Sequence, residues 1–115
     1  MASVELAVTA WNNGKHHASG AGYGLRVSIA DRDKHMKREW GSIDLYLPVP
    51  DGLAKVNIDK PSFWTDSCRE LIHHQIGAWL IHQRKGHWPK GSPPKIKLVQ
   101  RGERAFDVRP AWNSP

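Results

Sequence analysis

The fold is decided by residues 61–86, which read PSFWTDSCRELIHHQIGAWLIHQRKG. Ser67 and Glu70 form the S-x-x-E pattern of a helix N-terminal capping box, and Gly86 supplies a stop signal. The apolar residues between them recur every three or four positions, the spacing of one helical face. They are Cys68, Leu71, Ile72, Ile76, Trp79 and Leu80. The stretch predicts one long helix, and Gly77 in its middle is the expected crossing point of a strand.

The rest of the chain reads mainly as strands that cover this helix. Apolar and polar residues alternate over residues 4–11, 25–29, 40–47, 53–58, 95–99 and 104–108. Asp31 is expected to cap a short helix that reaches Arg38. Because no strand–long helix–strand pattern repeats, the expected fold class is α+β. It would be a mainly antiparallel, strongly bent sheet or small partly open barrel, with one long helix packed on it and one short helix. Residues 1–115 are expected to form a single domain in which 110–115 is a flexible tail.

The net charge of +6 is concentrated in the C-terminal quarter of the chain. Residues 84–110 hold eight basic and two acidic residues, which equals the whole net charge. The basic ones are Arg84, Lys85, Lys90, Lys95, Lys97, Arg101, Arg104 and Arg109. No apolar run approaches the ~20 residues of a membrane span, and no secretory leader is visible. With a single cysteine, these features favour a cytoplasmic protein without a membrane partner.

Tryptophans in loops lead to the first functional hypothesis. Of six tryptophans, Trp11, Trp88 and Trp112 fall in predicted turns or in the tail. Aromatic side chains beside lysine and arginine are typical of surfaces on which single-stranded nucleic acid stacks. The alternative for Trp88 is a plug on the helix end, and for Trp112 a place in a disordered tail is favoured. The candidate nucleic-acid-binding residues are Lys90, Lys95, Lys97, Arg101, Arg104 and Trp88.

A glycine-rich loop, KHHASGAGYG over residues 15–24, leads to a second hypothesis. A phosphate cradle is disfavoured because a strand, not a helix, follows the glycines. Instead, we expect either a mobile loop or a loop whose glycines allow close approach of a ligand or of another backbone. A small ligand or a protein partner would bind between this loop and the start of the long helix. The candidate pocket residues are Trp11, Asn13, Gly22, Tyr23, Arg26 and Trp64.

Seven histidines and one cysteine leave an enzyme as the third hypothesis. On a helix, His73 and His74 would diverge by about 100°, and His74 and His82 would lie roughly 12 Å apart, too far for one zinc ion. Cys68 would lie near a helix N-terminus, which can activate a thiol, but its place on the apolar stripe favours core. No catalytic residue, metal or cofactor is therefore assigned, and a small non-enzymatic nucleic-acid-binding or regulatory module is the leading interpretation.

Three pairs of segments resemble small uncharacterised bacterial proteins of mobile elements or accessory genes. They are WNNG (11–14) with GAGYGLR (20–26), KPSFW (60–64) with CRELI (68–72), and IGAWL (76–80) with HWPKGSPP (87–94). The resemblance implies no activity and no catalytic residues. It implies that the glycine loop, Trp64 and the Trp-Pro-Lys-Gly segment belong to one shared design, and we expect them to form a single surface.

Overall fold

Seven strands and two helices lie within residues 4–49 and 52–112, the part of the chain that the computed structural model describes. The strands are β1 (Glu5–Asn12), β2 (Tyr23–Arg26), β3 (Ser42–Tyr46), β4 (Leu53–Asn57), β5 (Glu70–Ile72), β6 (Lys95–Gly102) and β7 (Ala105–Pro110). The α-helices are α1 (Ile29–His35) and α2 (His74–His82), and single 3-10 turns span Arg38–Trp40 and Pro61–Trp64. Neither of these helices has the length and apolar character needed to cross a membrane.

All seven strands belong to one sheet with the order β4-β3-β7-β6-β1-β2-β5. Every neighbouring pair is antiparallel except β3 and β7, which run parallel. The two ends of the sheet, β4 and β5, approach each other without a hydrogen-bonded ladder between the described residues, so the sheet is nearly closed into a barrel. The predicted α+β class and the mainly antiparallel, bent sheet are confirmed.

Alternation along the strands places the core inside this barrel. Leu6 of β1 lies opposite Leu98 of β6, which in turn lies opposite Val108 of β7. All three side chains are buried, together with Phe106, as the sequence predicts for the second hairpin. Helix α2 covers the barrel and contributes Trp79, whose predicted core position is also confirmed.

The predicted long helix over 61–86 is wrong, because only its second half is α-helical. A 3-10 turn ends at Trp64, and the backbone N–H of Cys68 then donates to Oγ1 of Thr65 at 3.0 Å. Such a local side-chain bond competes with helix formation. The next residues form β5 by pairing with the free edge of β2. Helix α2 begins only after His73, whose ring nitrogen accepts the N–H of Gln75 at 3.1 Å.

Gly77 marks a close backbone approach, as expected, but the neighbour is the glycine loop and not a strand. A Cβ atom added to Gly77 would lie 2.6 Å from Cα of Gly20. Gly20 has a φ of +90°, so it combines a left-handed backbone with a contact that no side chain could make. The loop is therefore held against α2 by two facing glycines.

Three smaller boundaries differ from the prediction. The second strand ends at Arg26, because Ser28, not Asp31, caps α1 by accepting the N–H of Asp31 at 3.1 Å. Trp40 ends a 3-10 turn before β3. Of the predicted tail, Pro110 is the last residue of β7, Trp112 packs against the core, and residues 113–115 lie outside the described part of the chain.

Candidate nucleic-acid interface

A basic cleft of about 450 Å³ lies where α2 ends, beside the proline-rich loop and the start of β6. Arg84 and Lys85 follow the helix, Lys95 opens β6, and Trp88 comes from the loop between them. Trp112 reaches the same cleft from beyond β7. The pairing of β6 with β7 brings these distant segments together, since β7 ends beside the residues that begin β6.

No carboxylate within residues 4–49 and 52–112 neutralises the three cations of the basic cleft. Arg84, Lys85 and Lys95 form no salt bridge with any residue in the described ranges. No aspartate or glutamate of those ranges lines the cleft. The ammonium group of Lys85 lies 5.6 Å from the ring centroid of Trp112, a cation–π distance. The cleft therefore presents positive charge directly beside aromatic surface.

Both tryptophans of the cleft are half-buried and held by other rings. Trp88 meets Tyr23 edge-on with 6.3 Å between the ring centroids. Trp112 packs on the buried Trp79 at 5.4 Å with the planes tilted by 38°. Trp112 therefore belongs to the folded structure, in contrast to the disordered tail that the sequence favours. Both tryptophans are part of the cleft lining, and Trp88 lines another cavity as well.

A second cavity, the tyrosine cavity, adjoins the basic cleft and measures about 320 Å³. It lies between the glycine loop and the end of α2, and its lining is His16, Ala18, Tyr23, Ile81, Arg84, Gly86 and His87. Arg84 and His87 line the basic cleft as well. The rings of His16 and His87 are stacked at 4.1 Å and 18°, and they form a flat wall.

Tyr23 fixes the floor of the tyrosine cavity. Its hydroxyl donates to the carbonyl oxygen of Gly86 at 2.6 Å, which ties β2 to the chain just beyond α2. Burial raises the pKa of Tyr23, so the phenol stays protonated and remains a donor at neutral pH. The glycine loop and the end of α2 are thus held in a constant relative position.

Arg84 has a left-handed backbone conformation. With a φ of +60°, it alone among the non-glycine residues of the described ranges has a positive φ. Its N–H donates to the carbonyl of Ile81 at 2.9 Å, and that of Lys85 donates to Leu80 at 2.8 Å. This pair of bonds is the Schellman motif that ends helices, in which the left-handed residue is usually glycine. Here the left-handed residue is an arginine whose side chain reaches two cavities.

Only part of the predicted nucleic-acid-binding set meets in the basic cleft. Lys95 and Trp88 are both in its lining, whereas Lys90 is exposed on the proline-rich loop outside it. Lys97 lies on the same face of β6 as Lys95, but it pairs with Glu5 at 3.2 Å. Trp88 is therefore an aromatic side chain of a loop that lies beside basic residues.

The arginines at the tip of the second hairpin lie apart from the cleft. Arg101 pairs with Asp107 at 3.0 Å and lies 4.1 Å over the ring of Tyr46. Arg104 donates to the carbonyl oxygen of Trp40 at 3.1 Å. Because a strand rises about 3.3 Å per residue, Arg101 is roughly 20 Å from Lys95 along β6. These arginines contact the β3 side of the barrel, and the structure does not bring them together with Trp88.

Five of the six predicted ligand-pocket residues are distributed over three places. Tyr23 lines the tyrosine cavity, and Trp11 and Arg26 line a third cavity of about 350 Å³, whose lining also includes Trp88. Asn13 and Gly22 shape the loop itself, since the N–H of Asn13 donates to the carbonyl of Gly22 at 3.0 Å. The pocket beside the glycine loop therefore adjoins the end of α2, not the start of a long helix.

Trp64 takes no part in this surface. Its indole N–H donates to the carbonyl of Ile58 at 2.8 Å, and the guanidinium of Arg32 lies 5.3 Å from the ring centroid. Its role in the structure is to pack the 3-10 turn against α1. The glycine loop and the Trp-Pro-Lys-Gly segment do lie side by side, but the single surface expected from the resemblance does not include Trp64.

The residues considered for an enzyme have different surroundings from those predicted. Cys68 is half-buried in the loop before β5, so it lies neither at a helix N-terminus nor on a helical core stripe. The rings of His73 and His74 stack at 4.6 Å, because His73 precedes the helix and the helical divergence does not apply. No group of three histidine, cysteine or acidic side chains converges as a metal site within the described ranges.

The sequence places Arg84 and Lys85 in the basic C-terminal quarter and predicts them in the last turn of a long helix, whereas α2 ends at His82. Nothing in the sequence indicates that the rings of His16 and His87 stack. The signal available for Arg84 was its place shortly after the apolar stripe of α2, where a left-handed residue ends many helices.

No protein-family model, curated protein or solved structure matches this chain. The function is therefore inferred from the side chains of the site itself.

Proposed function

We propose that the basic cleft binds single-stranded nucleic acid without catalysing a reaction. The observation that supports this most directly is the meeting of two tryptophans with three cations that form no salt bridge with any described residue, in a cleft that no described carboxylate lines. Arg84, Lys85 and Lys95 would contact phosphates. Trp88 and Trp112 would stack on bases.

The basic cleft is the preferred place for phosphate because its cations differ from the salt-bridged cations elsewhere on β6 and β7. Lys97, Arg101 and Arg109 each have a carboxylate partner within 4 Å. A phosphate would have to replace that carboxylate, whereas Lys85 and Lys95 have no carboxylate partner among the described residues. Contacts to phosphate release counterions, which supplies much of the affinity of such sites.

The position of the cleft beside the end of α2 raises one electrostatic objection. A helix C-terminus carries partial negative charge that disfavours anions. In this helix, however, the carbonyls of Trp79, Leu80 and Ile81 accept backbone N–H groups from residues 83–85. The local charge is then dominated by the side chains of Arg84 and Lys85, which lie in the same turn.

Single strands suit this site better than duplexes. The bases of a single strand are free to stack on aromatic side chains, which is worth ~1–3 kcal/mol per base. In a duplex the base faces are covered by their neighbours. Half-buried tryptophans that line a cleft would have no partner on such a ligand.

The test is fluorescence anisotropy with short mixed-sequence DNA and RNA strands at 50 and 150 mM salt. Lys85→Ala with Lys95→Ala should weaken binding strongly. The matched control, Lys97→Ala with Arg109→Ala, removes the same charge from salt-bridged positions and should weaken it much less. Absence of binding at 50 mM salt, or equal losses in the two double variants, would overturn the proposed function.

A further inference from the structure

We propose that the tyrosine cavity receives one base of the bound strand, while Arg84 holds the phosphate that links this nucleotide to the base stacked on Trp88. The inference rests on the proposed function and adds a second subsite to it. The ligand recognised would then be a dinucleotide step, with one base inserted and the next one stacked.

The position of Arg84 connects the two subsites. It lines both the tyrosine cavity and the basic cleft, as His87 does. Its guanidinium has no salt bridge with the described residues and is exposed. A phosphate bound there would have one neighbouring nucleotide on each side of it. Arginine can hold a phosphate through two parallel hydrogen bonds, which fixes its orientation as well as its position.

The tyrosine cavity has the size and the walls for one base. Its volume of about 320 Å³ is at the small end of ligand pockets, which span ~300–1,000 Å³, so it suits one ring system better than a whole nucleotide. The stacked rings of His16 and His87 offer a flat aromatic face, and Ile81 and Ala18 add apolar surface. Unstacked bases bind to such aromatic walls, histidine included.

The backbone of Arg84 is the independent observation that points to a ligand. Glycine would adopt the left-handed conformation at this position without the steric cost that an arginine bears. Strained backbone of this kind is concentrated at functional sites, where a particular side chain is needed. Arg84 fits that pattern, because it is the one non-glycine residue of the described ranges with a left-handed backbone and it lines two cavities.

The cavity itself is tested by NMR titration with adenosine monophosphate and, separately, with inorganic phosphate. The nucleotide should shift the amide signals of Ala18, Tyr23 and Ile81, whereas phosphate alone should not shift those of Ala18 and Ile81. Ala18→Trp fills the cavity and should lower the nucleotide affinity about tenfold, in proportion to a lost base-stacking contact. Ser19→Trp adds the same bulk to the same exposed loop outside the lining and should leave the affinity unchanged.

Arg84→Gly tests the phosphate contact without damaging the fold. Its thermal midpoint should equal or exceed that of the parent protein, while its affinity for the nucleotide and for strands falls about tenfold, as for one charged hydrogen bond. Arg84→Lys should retain part of the affinity.

The outcomes separate the two proposals. Nucleotide shifts confined to Lys85 and Trp112, with no effect of Ala18→Trp, would overturn the base subsite and leave strand binding in the basic cleft intact. Nucleotide binding in the tyrosine cavity without strand binding would overturn the proposed function and the dinucleotide step with it, and would leave a site for a single nucleotide.

Discussion

Gly20 and Gly77 face each other where the glycine loop crosses α2, and each occupies space that a side chain on the other would need. The contact joins backbone to backbone, so it brings the loop closer to the helix than any other residue would allow. It thereby sets the position of His16 and Ala18, which belong to the same loop and line the tyrosine cavity.

Gly77→Ala is expected to destabilise the protein despite improving helix propensity. Alanine gains ~1 kcal/mol over glycine within a helix. The added methyl group, however, would lie 2.6 Å from Cα of Gly20, and overpacking against backbone costs typically ~1–3 kcal/mol. Urea denaturation should show a net loss of stability. Gly102→Ala is the control, since its Cβ would meet only ordinary contact at 3.6 Å; greater stability of Gly77→Ala would show that the loop does not press on α2.

Arg32→Met should destabilise the fold by about 2–4 kcal/mol, because the change removes charged hydrogen bonds from buried carbonyls. Arg32 is 3% exposed, and its guanidinium donates to the carbonyl oxygens of Phe63 at 2.9 Å and Thr65 at 2.7 Å. Methionine fills similar space but leaves both oxygens without that donor.

Arg38→Met is the matched control for that variant. Arg38 forms an exposed ion pair with Asp59, and such pairs contribute only ~0–1 kcal/mol. Thermal melts of the two variants should therefore differ clearly. Equal midpoints would mean that Arg32 does not anchor α1 to the turn over Pro61–Trp64.

Stability should fall as the pH drops below about 6.5, the usual pKa of histidine, and His73 should account for part of this loss. Burial, with a smaller contribution from the nearby His74, lowers the pKa of His73 in the folded protein. The unfolded chain therefore binds this proton more readily, so protonation favours unfolding until the pH passes below the folded pKa. Protonation would also remove the ring nitrogen that accepts the N–H of Gln75.

His73→Asn separates this effect from the titration of the other histidines. Asparagine caps helices well and does not titrate in this range. Denaturation at pH 7.5 and 5.0 should show a smaller loss of stability in the variant than in the parent protein. An equal loss in both proteins would contradict the assigned role of His73.

Salt dependence should distinguish the two kinds of contact in the basic cleft. Lys85→Ala should reduce the slope of log affinity against log salt by about 0.7, the value for one phosphate contact on a single strand. Trp88→Ala should weaken binding by ~1–3 kcal/mol and leave the slope nearly unchanged, because stacking releases few counterions. Anisotropy titrations at four salt concentrations measure both quantities, and a large slope change in Trp88→Ala would count against stacking.

The hairpins could be predicted from the sequence because alternation reports burial directly. Leu98 and Val108 are opposite each other, as their spacing predicts, and the turn between β6 and β7 is short. The long helix could not be excluded in the same way. A spacing of four and three at Ile72, Ile76 and Trp79 fits a helix, yet it also fits a short strand followed by a helix, and pairing with β2 decides between them.

Only part of the candidate site could be predicted from the sequence, for a related reason. Trp88 and Lys95 lie close in the chain, so their proximity follows from the short connection. The position of Arg84 depends on where α2 ends. The contact of His16 with His87 joins distant segments, as does the nearby contact of Gly20 with Gly77. Tertiary contacts of this kind leave no periodic pattern in the sequence.

The place of β1 in the sheet has a consequence for biosynthesis. Within this sheet β1 is synthesised before the other strands and lies between β2 and β6, so Leu6 cannot meet its partner Leu98 until β6 has been made. Until then one edge of β1 is open, and its apolar side chains lack their final neighbours. Such nascent intermediates expose strand edges on which chains aggregate, and closing so long a loop is slow. The sheet can therefore close only after β6 has been made, and until then the apolar face of β1 offers a surface that a chaperone could cover.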